Sequence, residues 1–426
     1  MSIFRPFQAL LPKEDLVEEI IALPYDCMNS QEAREIADDH PLSFLHVSKA
    51  EIDLPEDADP YGEDVYRKAA ENLQKLQDDG ALFQDDARCF YILTQEMNGR
   101  SQTGLVGCAS IDDYQNNVIK KHEKTRYDKE IDRINHIKAC NANTGAIFLT
   151  YRAQETISDK INAWKASHTP DYDFQMPGRV HTLAWRIDDE ALCQELQTLF
   201  AEDVDSLYIA DGHHRCASAA HVGTLYRQQH PDYTGDEEFN YFLAVAFPSD
   251  ELSIMDYNRV ARLPEKYTPD EHARHMTKAE LFRRIEPNFV IESCLQVRPF
   301  RPEEPRTFGM YYGGSWYKLT AKDGTYDPED PVGSLDVAIL QNNLIEPVLG
   351  IDDPRGDPRI DFVGGIRGLR ELEKRVSEDM EIAFSMYPTS IDQLMSIADA
   401  HELMPPKSTW FEPKLPSGLF LHLLTD

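Results

Sequence analysis

One segment concentrates side chains that do chemistry: Leu207-Tyr-Ile-Ala-Asp-Gly-His-His-Arg-Cys-Ala-Ser-Ala-Ala. An apolar run stops at a sharp Asp211-Gly212 turn, His213, His214 and Arg215 follow, and small residues then open a helix. Such a junction makes an anion pocket. Gly212 lets the backbone come close to a ligand. The first helical N–H groups are unpaired and attract phosphate, and the two histidines and the arginine add charge-assisted donors. Asp211 would then be an acid beside a phosphate, able to hold Mg2+ or to accept a hydroxyl proton. The plainer alternative is an Asp-Gly turn with surface histidines. Four consecutive chemically capable residues at a strand-to-helix junction favour function over that alternative.

A second cluster is Lys120-Lys-His-Glu-Lys-Thr-Arg, with Asp132-Arg133 after it. His122-Glu123 lacks the second histidine of H-E-x-x-H, which removes the zinc-protease reading. Lys120, Lys121, Lys124, Arg126 and Arg133 form a cationic island in a chain with 43 Lys and Arg, 75 Asp and Glu, and a formal charge of −32. That suits an anionic ligand, although an exposed basic stretch capping a helix has the same composition. Leu23-Pro-Tyr-Asp-Cys is by composition only a turn, in which Pro24 and Tyr25 could shape a pocket lip around Asp26. Met404-Pro-Pro-Lys-Ser-Thr presents Lys407, Ser408 and Thr409 on a stiff loop with Lys414 following, either toward a substrate or as a strap against the core. The chain has no G-x-x-x-x-G-K-[ST] loop, no G-x-G-x-x-G after a strand, no G-x-S-x-G elbow and no cysteine–histidine spacing for structural zinc.

These segments need a scaffold, and the apolar pattern supplies one. Residues 64–80 read as a helix with Val65, Ala69, Leu73 and Leu76 on one stripe. Strands at 88–94 and 105–110 flank an Asn98-Gly turn, and a helix at 130–141 carries Ile131, Ile134 and Ile137 along one side. Strands follow at 146–151, 181–187, 207–210 and 241–247, with helices at 153–164, 189–200 and 216–228 between them. Polar, Pro-rich stretches at 261–275 and 298–306 mark a boundary. The expectation is an N-terminal α/β domain over 1–260 that carries the phosphate site. A C-terminal α/β domain over 261–426, packed against the first, holds a hairpin at 308–319 and helices near 335–347, 366–378 and 390–398. The fold class is α/β or α+β, a mixed sheet core with flanking helices.

The 426 residues, 41% hydrophobic and 28% charged, suit a globular protein of roughly two or three domains. The negative charge argues against nucleic acid or an anionic membrane surface as partner. No apolar run approaches the ~20 residues that span a bilayer, and the start lacks the pattern of a secretory signal. Seven cysteines, none in a C-x-x-C, read as reduced thiols of a cytoplasmic protein.

The whole chain resembles the bacterial and archaeal family called domain of unknown function 1015, whose members have carried a ParB-like label. The resemblance rests on Arg5-Pro-Phe, Pro24-Tyr-Asp, Ser43-Phe-Leu-His-Val, His122-Glu-Lys-Thr, Asp132-Arg, Ile209-Ala-Asp-Gly-His-His-Arg and Met404-Pro-Pro-Lys-Ser-Thr, in that order. It departs at Cys216, where the family commonly has an aromatic or bulky residue. The Asp-Gly-His-His-Arg segment is also similar to the phosphate-binding motif of ParB-like and sulfiredoxin-like proteins, a fold on which free-serine kinases are built. That resemblance implies a ParB-like element around this loop, with Asp211 in catalysis and Gly212, His213, His214 and Arg215 on nucleotide phosphate. The resulting expectation is a phosphotransferase that uses ATP or ADP with Mg2+ on a small hydroxyl-bearing substrate, free L-serine first. Asp211, His122 and Glu123 would be catalytic, with Asp211 also the metal ligand. Thr125 and Arg133 would assist the nucleotide. Pro24, Tyr25, Asp26, Lys407, Ser408 and Thr409 would meet the substrate. Two other classes stand beside it: a nucleotide- or phosphometabolite-binding regulator in which Asp211 is structural, and a DNA-associated protein, which the charge opposes.

Overall fold

The computed structural model describes residues 2–264, 276–294 and 298–425. A nine-stranded mixed sheet runs Ile119–Lys120, Leu207–Asp211, Ile147–Tyr151, Tyr241–Pro248, Arg100–Ser110, Phe90–Met97, Val180–Ile187, Tyr172–Met176, with Phe4–Arg5 paired to Arg100–Ser110 off that path. Leu207–Asp211 pairs parallel with Ile119–Lys120, and Tyr241–Pro248 parallel with Ile147–Tyr151; the other pairings are antiparallel. The inner strands are continuous apolar runs because both faces are covered. Ile92, Leu105, Leu149, Ile209 and Phe242 share one core with Leu196 and Phe200 of helix Glu190–Asp203 and Val222 of helix His213–Gln229.

Helix Tyr127–Cys140 packs on His213–Gln229, and helix Glu63–Asp78 packs on Tyr127–Cys140. Val65, Ala69, Leu73 and Leu76 are buried, as their spacing requires. Ile134 and Ile137 are buried too, but Ile131 is 36% exposed. Steps of three fall about 60° short of a full turn, so the third isoleucine swings off the buried stripe.

The chain divides into two compact units, Met1–Leu252 with Pro413–Asp426, and Ser253–Glu412. The tail, which sequence reading gave to the second domain, pairs within the first. Leu421 exchanges backbone hydrogen bonds with Leu10, Ser417 does so with Ala22, and His422–Leu423 pairs with Ala142–Asn143. The stretch 265–275, part of the expected boundary, lies outside the described residues.

The second unit has a six-stranded antiparallel sheet in the order Phe289–Ser293, Ser315–Ala321, Thr307–Tyr312, Ile382–Ser385, Tyr257–Ala261, Ile360–Gly364. Its expected hairpin turns at Gly313 and Gly314, both at positive φ, which a two-residue turn matching strand twist demands. The helix expected near 335–347 is an α-helical turn, Asp336–Leu340, continued by a π-helix, Gln341–Leu349, that contains Pro347. The Phe289–Ser293 and Ser315–Ala321 strands carry no chemistry singled out by sequence. All seven cysteines are free thiols, five of them buried, including Cys216. No helix among the described residues is long and apolar enough to cross a membrane.

Candidate functional site

Asp211 owes its position to an irregularity in its strand. Ile209 lies opposite Leu149 and Asp211 opposite Phe148, so Ala210 is an extra residue that breaks the register. A bulge of this kind re-aims the side chain that follows it. Gly212 then takes a left-handed conformation, φ +93°. A Cβ there would lie 3.1 Å from Nε of Arg215, so a larger residue strains the backbone and must displace the guanidinium.

Arg215 lies in the first turn of helix His213–Gln229 and folds back over the junction. Its Nη1 donates to the Ala146 carbonyl at 2.6 Å and its Nη2 to Oδ2 of Asp211 at 3.2 Å. Nζ of Lys414, from the tail, lies 3.7 Å from the same oxygen. The Arg215 Nε is buried and has no hydrogen-bond partner.

Arg215 and Arg133 line one small cavity with Pro24, Tyr25, Ser48 and Gly145. Its volume is about 40 Å3, room for about three waters. Ser48, another residue of the lining, also carries a buried polar atom without a partner, its Oγ. The Arg133 guanidinium stacks 4.0 Å from the Tyr25 ring centroid and pairs with Asp132 at 2.7 Å. Tyr66 in turn donates to Asp132 at 3.1 Å. Burial disfavours both arginine charges. Tyr25 and Asp132 around Arg133, and Asp26 and Asp211 around Arg215, outweigh it and raise both pKa values. Burial pushes the Tyr25 phenol up to about 12, so it stays a neutral donor.

The parallel pairing of Ile119–Lys120 with Leu207–Asp211 sends the two following loops off the same end of the sheet. That brings His122 beside His213. Both are buried, with ring centroids 4.5 Å apart and planes at 87°. Nδ1 of His213 is 3.9 Å from Oε2 of Glu123. Burial pushes His122 down to about 4 and His213 well below its usual range, although the nearby Asp211 carboxylate opposes the shift in both. Both imidazoles are therefore neutral near pH 7.

His214 has a different part: its Nε2 accepts the Arg126 backbone N–H at 3.0 Å, which ties the 121–126 loop to the helix. Thr125 donates to Glu130, inside the next helix, rather than toward His213. The cationic island disperses. Lys121 sits over the Tyr114 ring at 3.8 Å, Arg126 pairs with Asp128 at 2.8 Å, and of the five only Arg133 lines the cavity. Lys407, Ser408 and Thr409 belong to the second unit. There the Lys407 carbonyl accepts from Arg259 at 3.0 Å, and Ser408 donates to the Pro405 carbonyl at 2.6 Å.

Sequence reasoning missed Ser48, His136, the Asn143-Thr144-Gly145 turn and Ser417, all lining the cavity. The Asn-Thr-Gly run is a turn signal that was legible; the isolated serines and His136 carry none. Mg2+ prefers several oxygen ligands. It is usually held by one or two carboxylates together with substrate phosphates and waters; at this junction Asp211 offers a carboxylate, paired with Arg215 and Lys414.

Residues 4–338 match a family described as "Protein of unknown function (DUF1015)". The chain belongs to this family. The match spans every cavity residue named above except Ser417. No curated protein matches the chain. Among solved structures, a mutant of free serine kinase in complex with AMP is similar over 74% of this chain and 90% of its own, at 11% identity and a TM-score of 0.36. SbnI with a C-terminal truncation from Staphylococcus aureus is similar over 75% of this chain and 87% of its own, at 11% identity and a TM-score of 0.38. A conserved hypothetical protein from Pyrococcus furiosus covers 74% and 94%, at 11% and 0.34.

Proposed function

We propose that this family member grips a nucleotide phosphate at the Asp211–Arg215 junction and transfers a phosphoryl group to a small hydroxyl-bearing substrate, free L-serine being the first to test. The supporting observation is the pair of unpartnered buried donors, Arg215 Nε and Ser48 Oγ, on a cavity that also holds Arg133. A buried donor without an acceptor costs about 1–3 kcal/mol. An oxyanion in the cavity satisfies both donors and answers two guanidinium charges at once. The cavity admits one anionic group, so the nucleoside lies outside it.

In the proposed reaction the substrate oxygen attacks the terminal phosphorus of ATP. The new O–P bond forms as the bond to the bridging oxygen breaks, ADP leaves, and Asp211 receives the hydroxyl proton. Arg215, Arg133 and the first N–H groups of helix His213–Gln229 balance charge on the phosphoryl oxygens, which is most of what such a transfer needs. His122 and Glu123 complete the site from the neighbouring loop. Pro24, Tyr25 and Asp26 form its substrate side.

A second reading has its own observation. Asp211 is tied to both Arg215 and Lys414, as a structural carboxylate in a phosphate-binding regulator would be. Incubation with ATP, Mg2+ and L-serine separates the two. Phosphoserine detected by 31P NMR supports transfer. Saturable ATP binding with no consumption across an amino-acid and polyol panel supports the regulator. In the first case Asp211→Asn lowers kcat by about 100-fold or more, the usual scale for a lost acid–base group, with little change in nucleotide Kd. An Asn variant with normal turnover removes the role given to Asp211.

A further inference from the structure

His122, Glu123 and His213 have more in common than proximity. Each places one donor atom within 4.8 Å of the other two, and among the described residues they are the group of ligand-type side chains that converges in this way. His122 is 2% exposed, and neither of its ring nitrogens meets hydrogen-bond geometry, although the Ile209 backbone lies near enough to favour its charged form. A buried imidazole whose nitrogens make no well-formed hydrogen bond is costly in a protein interior. One ligand could remove that cost.

We propose that His122, Glu123 and His213 bind one divalent cation of the borderline class, Zn2+ or Co2+ rather than Mg2+. Two imidazoles and a carboxylate are the donor set that such ions take and that Mg2+, a hard oxygen-seeking ion, does not. Tetrahedral coordination with bonds of ~2.0–2.2 Å puts donors about 3.4 Å apart. The Glu123 and His213 donors stand at 3.9 Å, so small side-chain rotations close the set. Glu123 is 35% exposed at its side chain, which leaves an entry path and room for water or a ligand oxygen in the remaining positions. The rigidity comes from the sheet: the two ligand-bearing loops leave paired parallel strands in register, Leu207 opposite Ile119 and Tyr208 opposite Lys120. The site shares His122, Glu123 and His213 with the proposed phosphoryl-transfer site, but a bound cation there does not depend on that reading.

The test uses the full chain freed of metal by chelator dialysis, with no nucleotide present. Titration with Co2+ is followed by its visible d–d absorption, and Zn2+ uptake is measured by equilibrium dialysis. The expected result is one Co2+ or Zn2+ per chain, not displaced by a large excess of Mg2+. Glu123→Gln, at a partly exposed position, is expected to keep the fold and weaken affinity at least tenfold. His122→Asn and His213→Asn, checked for fold by circular dichroism, are expected to abolish the d–d bands. No stoichiometric uptake by the wild type, or equal affinity in wild type and Glu123→Gln, overturns the proposal. Nucleotide affinity measured on the same metal-free chain reads the phosphate cradle separately, so either reading can fail alone.

Discussion

At Gly212 backbone geometry and charge placement meet. A Gly212→Ala substitution carries the left-handed penalty of about 1–2 kcal/mol and sets a methyl against the Arg215 guanidinium. The expected outcome is a lower melting temperature together with weaker ATP binding, read by thermal shift and by calorimetry. A stability loss with unchanged affinity separates Arg215 from phosphate. Arg215→Lys tests the fork itself. A lysine cannot hold the Ala146 carbonyl and Asp211 at once, so nucleotide affinity is expected to fall about tenfold or more, the scale of one charged hydrogen bond. The Asp-Gly-His-His-Arg chemistry was legible because its members are contiguous. Pro24 and Tyr25 read by composition only as a turn that could shape a pocket lip, since what makes them a pocket wall is Arg133, more than a hundred residues away. Ser48 was invisible: one serine in an apolar run has no pattern to read.

At the scale of elements, the strands and helices flanking the site follow from periodicity. The bulge at Ala210 does not, because the sequence there is an unbroken apolar run. The pairing of Phe90–Met97 with Val180–Ile187 is pinned by a polar knot that sequence also concealed. Arg186 donates to both oxygens of Asp85 at 2.8 and 2.7 Å, and Tyr91 donates to the same carboxylate at 2.5 Å. Burial favours the neutral acid, but these donors outweigh it and lower the Asp85 pKa. A carboxyl whose folded pKa is depressed adds stability above its unfolded value and loses it as pH falls through the folded one. Asp85→Asn is therefore expected to cost about 2 kcal/mol or more near neutrality, because it strips a partner from a largely buried pair, and to converge on the wild type in strong acid. Urea melts at pH 7 and pH 3 compare the two; a constant difference across that range contradicts the assignment.

For the whole molecule, titration runs through its buried histidines. Burial lowers His122 and His136 to about 4, and lowers His213 and, against the pull of Glu238, His422. Below the unfolded value of about 6.5 the unfolded chain takes up protons that the folded chain refuses. Stability is then complete above that value and declines as pH drops toward 4. Melting temperatures from pH 7.5 to 4.5 should show this decline, and His136→Asn should flatten it. The charge of −32 adds a separate expectation: moderate salt screens self-repulsion, so melting temperature rises between low ionic strength and about 0.15 M. Composition made that charge plain, whereas the return of the tail to the first unit was not legible, since its partners lie at the other end of the chain. That return has a consequence for biosynthesis. Lys414 and Ser417 stand at the site while most of its other members come from the first half of the chain. A nascent chain on the ribosome therefore carries an unfinished pocket through the entire translation of the second unit, and closes it only when the last stretch emerges.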